Sequence, residues 1–321
     1  MTTNTHPTEQ PTPTHIVARL WIYQAERFPV IGHGVLIAAF SFSAVSYSSL
    51  LRGHVEWPRL ATVAVAFVSA FLFFLQLRLA DEFKDFAEDA RFRPYRPVPR
   101  GLVSLRELGV LWGLTLVVQL GLAWWLEPAL VPLLLLVWGY LALMSREFFV
   151  RDWLKARPLT YLWTHMLIVP LIDLYTTACD WLAAGANLPH WGLAWFLVVS
   201  FFNGVIIELG RKIRAPQDEE TGVETYSALW GPRRAVLVWW GAVLVTAISA
   251  GFAAHQIDFA GPVGVLLVIL LALAAVVAVR FWQNPNTSRA KAIETMSGVW
   301  TLLMYLGVGA APLLWQVLLR G

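Results

Sequence analysis

Residues 60–89 read LATVAVAFVSAFLFFLQLRLADEFKDFAED, an apolar run that leads directly into five carboxylates within nine residues. A spanning helix needs about 20 mostly apolar residues, because about 30 Å of hydrocarbon is crossed at about 1.5 Å per residue. The run is long enough for one crossing, and the acidic residues begin where such a helix would reach the membrane surface. The stretch therefore predicts a transmembrane helix that ends in a charged segment.

Similar apolar segments recur along the whole chain. The 321 residues are 58% hydrophobic and 14% charged, whereas about a quarter of the residues in a soluble domain are charged. We predict an all-α integral membrane bundle of about nine transmembrane helices. The predicted spans are 29–50, 60–77, 108–126, 128–145, 159–178, 191–207, 235–254, 259–279 and 295–319.

The N-terminal region and the cysteine content complete the predicted domain organisation. We expect residues 1–18 to be a disordered tail, because 1–14 are rich in Thr and Pro and lack the features of a signal peptide. Residues 19–321 are predicted to form a single transmembrane domain. The one cysteine, Cys179, excludes an intramolecular disulfide and is interpreted as a small buried thiol.

The distribution of basic residues predicts the orientation. With the N-terminus inside, 21 of the 24 Lys and Arg residues fall in inner connections, and only Arg52, Arg59 and Arg320 fall outside. Short inner loops of membrane proteins carry an excess of Lys and Arg. We therefore expect a multi-pass protein of the cell's inner (plasma) membrane, with the N-terminus and both acidic loops in the cytoplasm.

The first acidic loop follows the span at 60–77. If the helix continued past the membrane edge, Asp81, Asp85 and Asp89 would share one face, where like charges repel. A divalent cation reverses this repulsion, since Mg²⁺ takes carboxylate and phosphate oxygens. Downstream guanidinium groups can bind phosphate, and these belong to Arg91, Arg93, Arg96 and Arg100. The alternative interpretation is a solvated helix end with ordinary surface ion pairs.

A second acidic loop follows the span at 191–207, four helices further along. It begins near Asn203 and Glu208 and runs to Tyr226, with carboxylates and basic residues interleaved. By itself it could be a polar connector whose Pro216 and Gly222 mark turns. Two such loops on one predicted face favour a shared polyanion site.

The residues of both loops resemble motifs of the UbiA superfamily of intramembrane prenyltransferases, including UbiA-type terpene synthases. The family's Asn-Asp-x-x-Asp-x-x-x-Asp is similar to Asp81-Glu82-x-x-Asp85-x-x-x-Asp89, and its Arg-Pro-x-x-x-Gly-x-x-Ser is similar to the run from Arg96 to Ser104. The resemblance extends from about residue 20 to 318. It implies nine transmembrane helices and two Asp-rich cytoplasmic loops.

The chain departs from the family pattern in two places. In the second motif, Asp-x-x-x-Asp-x-x-x-Gly-x-x-Thr, the last three positions match Asp218, Gly222 and Thr225, but the first falls on Arg214. A carboxylate from Glu208 or Glu219 could replace it if the loop has shifted. The family's Tyr followed by Lys-Arg after helix four is represented by Tyr140 and the single basic residue Arg146.

The resemblance implies that an isoprenoid diphosphate binds with its head at the two loops and its tail among the helices. The implied metal ligands for Mg²⁺ are Asp81, Glu82, Asp85, Asp89, Glu208, Asp218 and Glu219. The implied diphosphate-binding residues are Lys84, Arg93, Arg96, Arg211, Lys212 and Arg214. The candidate catalytic residues are Asp85, Asp89, Asp218 and Asp173.

The prenyl cation left after ionisation requires a dry cavity with electron-rich walls. Candidate cavity residues are Tyr140, Arg146, Tyr161, His165, Tyr175 and Asn203. Asp173 is the one carboxylate inside a predicted span, where a charge is costly unless it is paired or protonated. It is either a cation stabiliser or base in the cavity, or a carboxyl that is hydrogen-bonded to a neighbouring helix or faces the outer interface.

Three functions remain open at this point. The first is transfer of the prenyl group to a lipophilic or aromatic acceptor. The second is a terpene synthase that quenches the cation within the prenyl chain itself. The third is a metal or solute transporter, although transporters usually place binding groups at the membrane midplane. The expected partners are a prenyl diphosphate and the lipid bilayer, with no nucleic acid, and the oligomeric state stays undetermined.

Overall fold

The computed structural model describes residues 15–220 and 223–320. The predicted tail comprised residues 1–18; of these, 1–14 lie outside the described part, whereas 16–18 belong to the first helix. Thr221, Gly222 and Gly321 also lie outside it, so the predicted turn at Gly222 is not described. The described residues form α-helices and short helical turns. The helices are α1 (Ile16–Arg27), α2 (Val30–Leu51), α3 (Leu60–Lys84), α4 (Phe86–Phe92), α5 (Leu105–Leu126), α6 (Val131–Ser145), α7 (Arg151–Lys155), α8 (Pro158–Met166), α9 (Ile168–Trp181), α10 (Leu193–Arg211), α11 (Tyr226–Trp230), α12 (Pro232–His255), α13 (Ala260–Gln283), α14 (Thr287–Tyr305) and α15 (Ala311–Arg320).

Nine helical segments within the described ranges are long and apolar enough to cross a membrane, as predicted. They are α2, α3, α5, α6 with its preceding turn, α8 joined to α9, α10, α12, α13, and α14 joined to α15. Several helices continue beyond the apolar run from which they were predicted. The second span was predicted to end at residue 77, but α3 continues to Lys84. A helix satisfies its own backbone, so it can extend into water with charged side chains on its surface.

Two of the spans are interrupted near a proline. Pro170 lacks the N–H that would donate to the carbonyl of Met166, and the fifth span divides at Leu167 into α8 and α9. In the last span a π-helical turn, Leu306–Ala310, separates α14 from α15. Pro312 follows this turn and cannot donate to the carbonyl four residues before it, which accounts for the local change of hydrogen bonding.

The core is held together by aromatic side chains and by close contacts at small residues. Tyr47 and Trp300 are fully buried, and the Tyr47 hydroxyl lies 3.1 Å from the carbonyl oxygens of Gly192 and Ala253. Gly309 in the π-helical turn packs directly on the backbone of α2. Small residues allow such close approach of helices in membranes, where packing drives association.

Candidate functional site at the acidic end of the bundle

The first acidic loop begins as a direct continuation of α3. The helix ends at Lys84, Asp85 forms the junction, and α4 follows. Helical hydrogen bonds continue across the junction, from the Asp85 N–H to the Asp81 carbonyl (2.9 Å) and from the Asp89 N–H to the Asp85 carbonyl (2.8 Å). The acidic side chains differ in exposure, because the side chain of Asp81 is 47% exposed whereas those of Glu82 and Asp89 are almost fully buried.

Asp85 carries a partly buried carboxylate without a basic partner in the described part of the chain. Among the described residues, no Lys, Arg or His nitrogen forms a salt bridge with it. Burial raises the pKa of the Asp85 carboxyl, the negative charge of Asp81 raises it further, and the positive charge of Lys84 only partly opposes this. Asp81 itself pairs with Arg78 at 3.0 Å, so Asp85 is the carboxylate of the two that is open to a cation.

Glu82 and Asp89, by contrast, are engaged by guanidinium groups. Arg27 of α1 donates to Glu82 at 2.6 Å, and Asp89 accepts from Arg93 at 2.9 Å and from Arg96 at 2.5 Å. These pairs anchor α1 and the Arg-Pro segment to the acidic loop. Metal binding by either carboxylate, as predicted from the sequence, would require its ion pair to open.

The Arg-Pro segment after α4 is shaped by local backbone chemistry. Gly101 has a φ of 79°, a conformation that favours glycine. The Ser104 side chain accepts from the backbone N–H of Glu107, and the Glu107 carboxylate accepts from the N–H of Ser104, so the pair forms a capping box at the start of α5. This arrangement explains the Gly and Ser of the motif by structure alone. Of the two arginines, Arg96 pairs with Asp89 of the acidic loop, whereas Arg100 pairs with Glu26 of α1 at 2.7 Å.

The second acidic loop pairs its own charges. Glu208 lies 2.6 Å from Arg211 and 2.8 Å from Lys212, and Arg214 donates to Glu220 at 2.9 Å. Two predicted metal ligands here accept hydrogen bonds from hydroxyls, namely Asp218 from Thr287 at 2.9 Å and Glu219 from Thr225 at 2.6 Å. A bound diphosphate would compete with these carboxylates for the basic side chains.

One lysine in each acidic loop contacts a tyrosine. The Tyr161 hydroxyl accepts a hydrogen bond from Lys84 at 2.6 Å, and the backbone N–H of Tyr226 donates to the Lys212 carbonyl at 3.0 Å. Burial raises the pKa of Tyr226, and the charges of Glu208 and Tyr161 raise it further. Lys84 and Lys212, one from each loop, thus each have a tyrosine beside them. No set of three or more His, Cys, Asp or Glu groups forms a ready-made metal cage among the described residues.

Glu147 is a buried carboxylate that we did not single out from the sequence. Its residue is 3% exposed, and it lies 2.5 Å from the Lys84 ammonium and 3.2 Å from Nε2 of His165, while the Tyr161 hydroxyl donates to it at 3.1 Å. Burial opposes ionisation of Glu147, but hydrogen bonds from His165 and Lys84 outweigh it and lower the pKa to about 2. The only available sequence signal was an acidic residue next to Arg146, where the family pattern has basic residues.

The turn that carries Glu147 has an unusual backbone. Glu147, Phe148 and Phe149 have φ values of 49°, 52° and 60°, although none of them is glycine. Positive φ is uncommon for residues with a side chain, and three in succession are much rarer. The contacts of Glu147 with α3 and α8 must stabilise this conformation.

A groove of about 1310 Å³ lies between α3, α5 and α6 and ends at the Lys84–Glu147 pair. Phe83, Trp112, Leu136 and Gly139 contribute to its apolar part. Two of the predicted cavity residues, Tyr140 and Arg146, also line it. Tyr161 and His165 lie on the other side of Glu147, in contact with it.

The remaining predicted cavity residues lie inside the bundle. Asp173 is fully buried, and its Oδ2 accepts a hydrogen bond from the Tyr305 hydroxyl at 2.9 Å. The Tyr305 hydroxyl also lies 3.2 Å from Oγ of Ser200. Tyr175 and Asn203 are likewise buried, and within the described structure neither amide atom of Asn203 has a hydrogen-bond partner. The structure thus places a small polar group in the apolar interior.

Fold and site together define a polytopic helical membrane protein with interleaved acidic and basic loops at one end of the bundle. A sequence profile of the UbiA prenyltransferase family matches residues 79–299, and the chain belongs to that family. No protein of curated function matches the sequence.

Solved structures of similar fold agree with this assignment. A UbiA homologue from Aeropyrum pernix K1 superposes with a TM-score of 0.67 at 15% identity, covering 87% of this chain and 97% of that one. A digeranylgeranylglyceryl phosphate synthase gives 0.63 at 14% identity, covering 94% and 99%. A UbiA homologue from Archaeoglobus fulgidus bound to DMAPP and Mg²⁺ gives 0.51 at 13% identity, covering 85% and 96%. At these identities the likeness is one of fold.

Proposed function

We propose that the protein is a Mg²⁺-dependent intramembrane prenyltransferase that ionises an isoprenoid diphosphate at its two acidic loops. The prenyl group is then transferred to a lipophilic or aromatic acceptor. The observation that carries this proposal is the half-buried Asp85 carboxylate, which has no salt-bridge partner among the described residues and lies beside Asp81, itself paired with Arg78. Family membership supports the reaction type, and the ligands of the Archaeoglobus fulgidus homologue suggest the substrate class.

The residues of the first loop fit Mg²⁺. This ion is usually bound by one or two carboxylates together with substrate phosphates and water, so a complete protein cage is not required. Asp85 and Asp81 provide two carboxylates on neighbouring turns. When bound, Mg²⁺ would neutralise charge on the diphosphate as the carbon–oxygen bond breaks.

The basic residues would bind and orient the diphosphate. Arg96 and Arg93 are held in place by Asp89, and Arg211 and Lys212 by Glu208. Each guanidinium group has further N–H donors available for phosphate oxygens besides those used by its carboxylate. These residues would stabilise the leaving diphosphate electrostatically, as positioned charges do in other phosphate chemistry.

The polar group inside the bundle, formed by Asp173 and Tyr305, would act on the prenyl cation or on the acceptor. Asp173 and Tyr305 lie in a region without Lys or Arg, where a carboxylate strongly favours a nearby positive charge or a proton. Asp173 would stabilise the prenyl cation or accept the proton released by the acceptor. Such a proton acceptor must be shielded from water, and full burial provides this shielding.

Turnover measurements in liposomes test this function. Purified protein is incubated with Mg²⁺ and C10, C15 or C20 prenyl diphosphates, and released diphosphate is measured. EDTA should abolish release and Mg²⁺ should restore it. Asp85→Asn should lower release at least a hundredfold, because the metal loses its principal ligand. Asp152→Asn is a matched control on exposed α7 and should retain wild-type activity.

Analysis of the products by mass spectrometry separates the two enzymatic alternatives. A prenylated compound that forms only when membrane lipid extract is added indicates a transferase. A terpene hydrocarbon or alcohol that forms from the diphosphate alone indicates a terpene synthase. Absence of diphosphate release with every donor, under conditions where the protein remains folded, would refute the proposed reaction.

A further inference from the structure

Lys84 adopts an unexpected orientation for its position in the chain. It is adjacent to Asp85 and one helical turn after Asp81, a spacing at which Lys and Asp commonly pair. The ammonium group instead contacts the Glu147 carboxylate at 2.5 Å and donates to the Tyr161 hydroxyl at 2.6 Å. It forms no salt bridge with Asp81 or Asp85 among the described residues. Lys84 is thus directed away from the carboxylates nearest to it in sequence.

Glu147 is well suited to hold Lys84 in that orientation. It is almost fully buried and is fixed by Tyr161 and His165, both of which are on α8. Its backbone belongs to the left-handed turn formed by residues 147–149. Unfavourable backbone conformations persist only where surrounding contacts stabilise them, and they occur preferentially at functional sites.

The chemical consequence concerns the charge of the metal site. An ammonium group close to Asp85 would compete with Mg²⁺ for the same carboxylate oxygens, and the competition is strong where burial lowers the dielectric constant. With Lys84 paired to Glu147, Asp85 has no salt-bridge partner within the described part of the chain. The charge of the Lys84 ammonium is then neutralised by a different carboxylate, that of Glu147.

We propose that Glu147 is a positioning residue that holds the Lys84 ammonium away from Asp85, so that this carboxylate remains available to a divalent cation beside Asp81. This inference rests on the proposed function for the role of Asp81 and Asp85. It assigns to Glu147 a role that depends wholly on Lys84. Removal of the lysine should therefore make the glutamate dispensable for metal binding.

Metal titration of the purified protein tests the proposal without requiring turnover. Mn²⁺, which is detected by electron paramagnetic resonance, serves as the probe and is added without a diphosphate, so that a contact of Lys84 with diphosphate cannot affect the result. Glu147→Gln should weaken Mn²⁺ binding at least tenfold, because the released Lys84 pairs with Asp85. The double variant Lys84→Met/Glu147→Gln should bind Mn²⁺ within twofold of wild type. Glu147→Asp, which keeps the charge, should recover part of the loss.

The matched control is Glu294→Gln, which breaks an exposed Lys–Glu pair with Lys291 on α14 and should leave Mn²⁺ binding unchanged. A merely structural role for Glu147 predicts a different result, in which the double variant binds no better than Glu147→Gln. That outcome would overturn the proposal, as would wild-type affinity in Glu147→Gln or no Mn²⁺ binding by the wild-type protein. Mn²⁺ binding with the expected variant pattern, but without diphosphate release, would refute the proposed reaction and leave the positioning role intact.

Discussion

Gly210 on α10 makes the tightest helix contact next to the candidate site. A Cβ atom at this position would lie 2.8 Å from Cβ of Ser297 on α14, and still closer to its Oγ. The Ser297 hydroxyl cannot rotate away freely, because it accepts a hydrogen bond from Nε1 of the fully buried Trp239 at 2.8 Å and donates to the Ile293 carbonyl at 2.8 Å. Gly210→Ala therefore forces α10 and α14 apart or leaves the Trp239 N–H without a partner.

The expected loss of stability follows from these two effects. Overpacking by one methyl group in a well-packed core costs about 1–3 kcal/mol, and an unsatisfied buried donor costs about 1–3 kcal/mol. Either effect alone should lower the free energy of unfolding by about 1–3 kcal/mol. Cys179 is the only thiol and is fully buried, so a thiol-reactive dye reports unfolding directly.

The control for this measurement is Gly298→Ala on α14. No atom lies within 4 Å of a Cβ at Gly298, and replacement of a helical glycine by alanine stabilises a helix by about 1 kcal/mol where there is space. Gly298→Ala should melt at or above the wild-type temperature, and Gly210→Ala well below it. Equal melting temperatures for the two variants would refute the packing argument.

Three further predictions concern the loops and the interior. Arg214→Ala should raise KM for the prenyl diphosphate and lower turnover, and Arg214→Lys should recover only part of the loss, because lysine cannot bind phosphate in a bidentate manner. Arg214→Asp should not improve activity, and a gain would show that the family's two-carboxylate arrangement is the better description. Asp173→Asn keeps the size of the side chain, so the variant should melt close to the wild-type temperature. It removes the negative charge, so turnover should fall at least tenfold; unchanged turnover would exclude an action of Asp173 on the cation or proton. Cysteines introduced at 81–103 and 211–232 should be labelled from the cytoplasmic side, and labelling from outside would reject the topology.

The positions of the spans could be predicted because hydropathy measures the property that membrane insertion selects. All nine predicted spans correspond to helical segments of the structure. Their ends were less predictable, since α3 continues seven residues beyond the end of the apolar run at 77. The apolar run that predicts a span ends at the first charged residues, whereas the helix itself ends where the backbone hydrogen bonding changes.

The candidate site could be predicted only as a set of residues, without their partners. The pairing of Asp89 with Arg93 and Arg96 is local, and residue spacing makes it plausible. The contact between Lys84 and Glu147 joins residues 63 positions apart, one at the end of α3 and the other in the turn after α6. It also depends on a left-handed turn without glycine, for which the sequence carries no turn signal. The roles of the site residues in metal and diphosphate binding remain predictions.

The contact between Gly309 and α2 has a consequence for the order in which the protein can assemble. Gly309 packs on the backbone of Ser43, 266 residues earlier in the chain. The first span therefore enters the bilayer long before its partner in the last span has been synthesised. Until then the Ser43 face of α2 is covered only by lipid or by the membrane-insertion machinery. Closure of the bundle is a late, long-range event, and such events are slow because distant parts of the chain must meet. Truncation within the π-helical turn should thus yield a protein whose early spans are inserted but remain open to degradation.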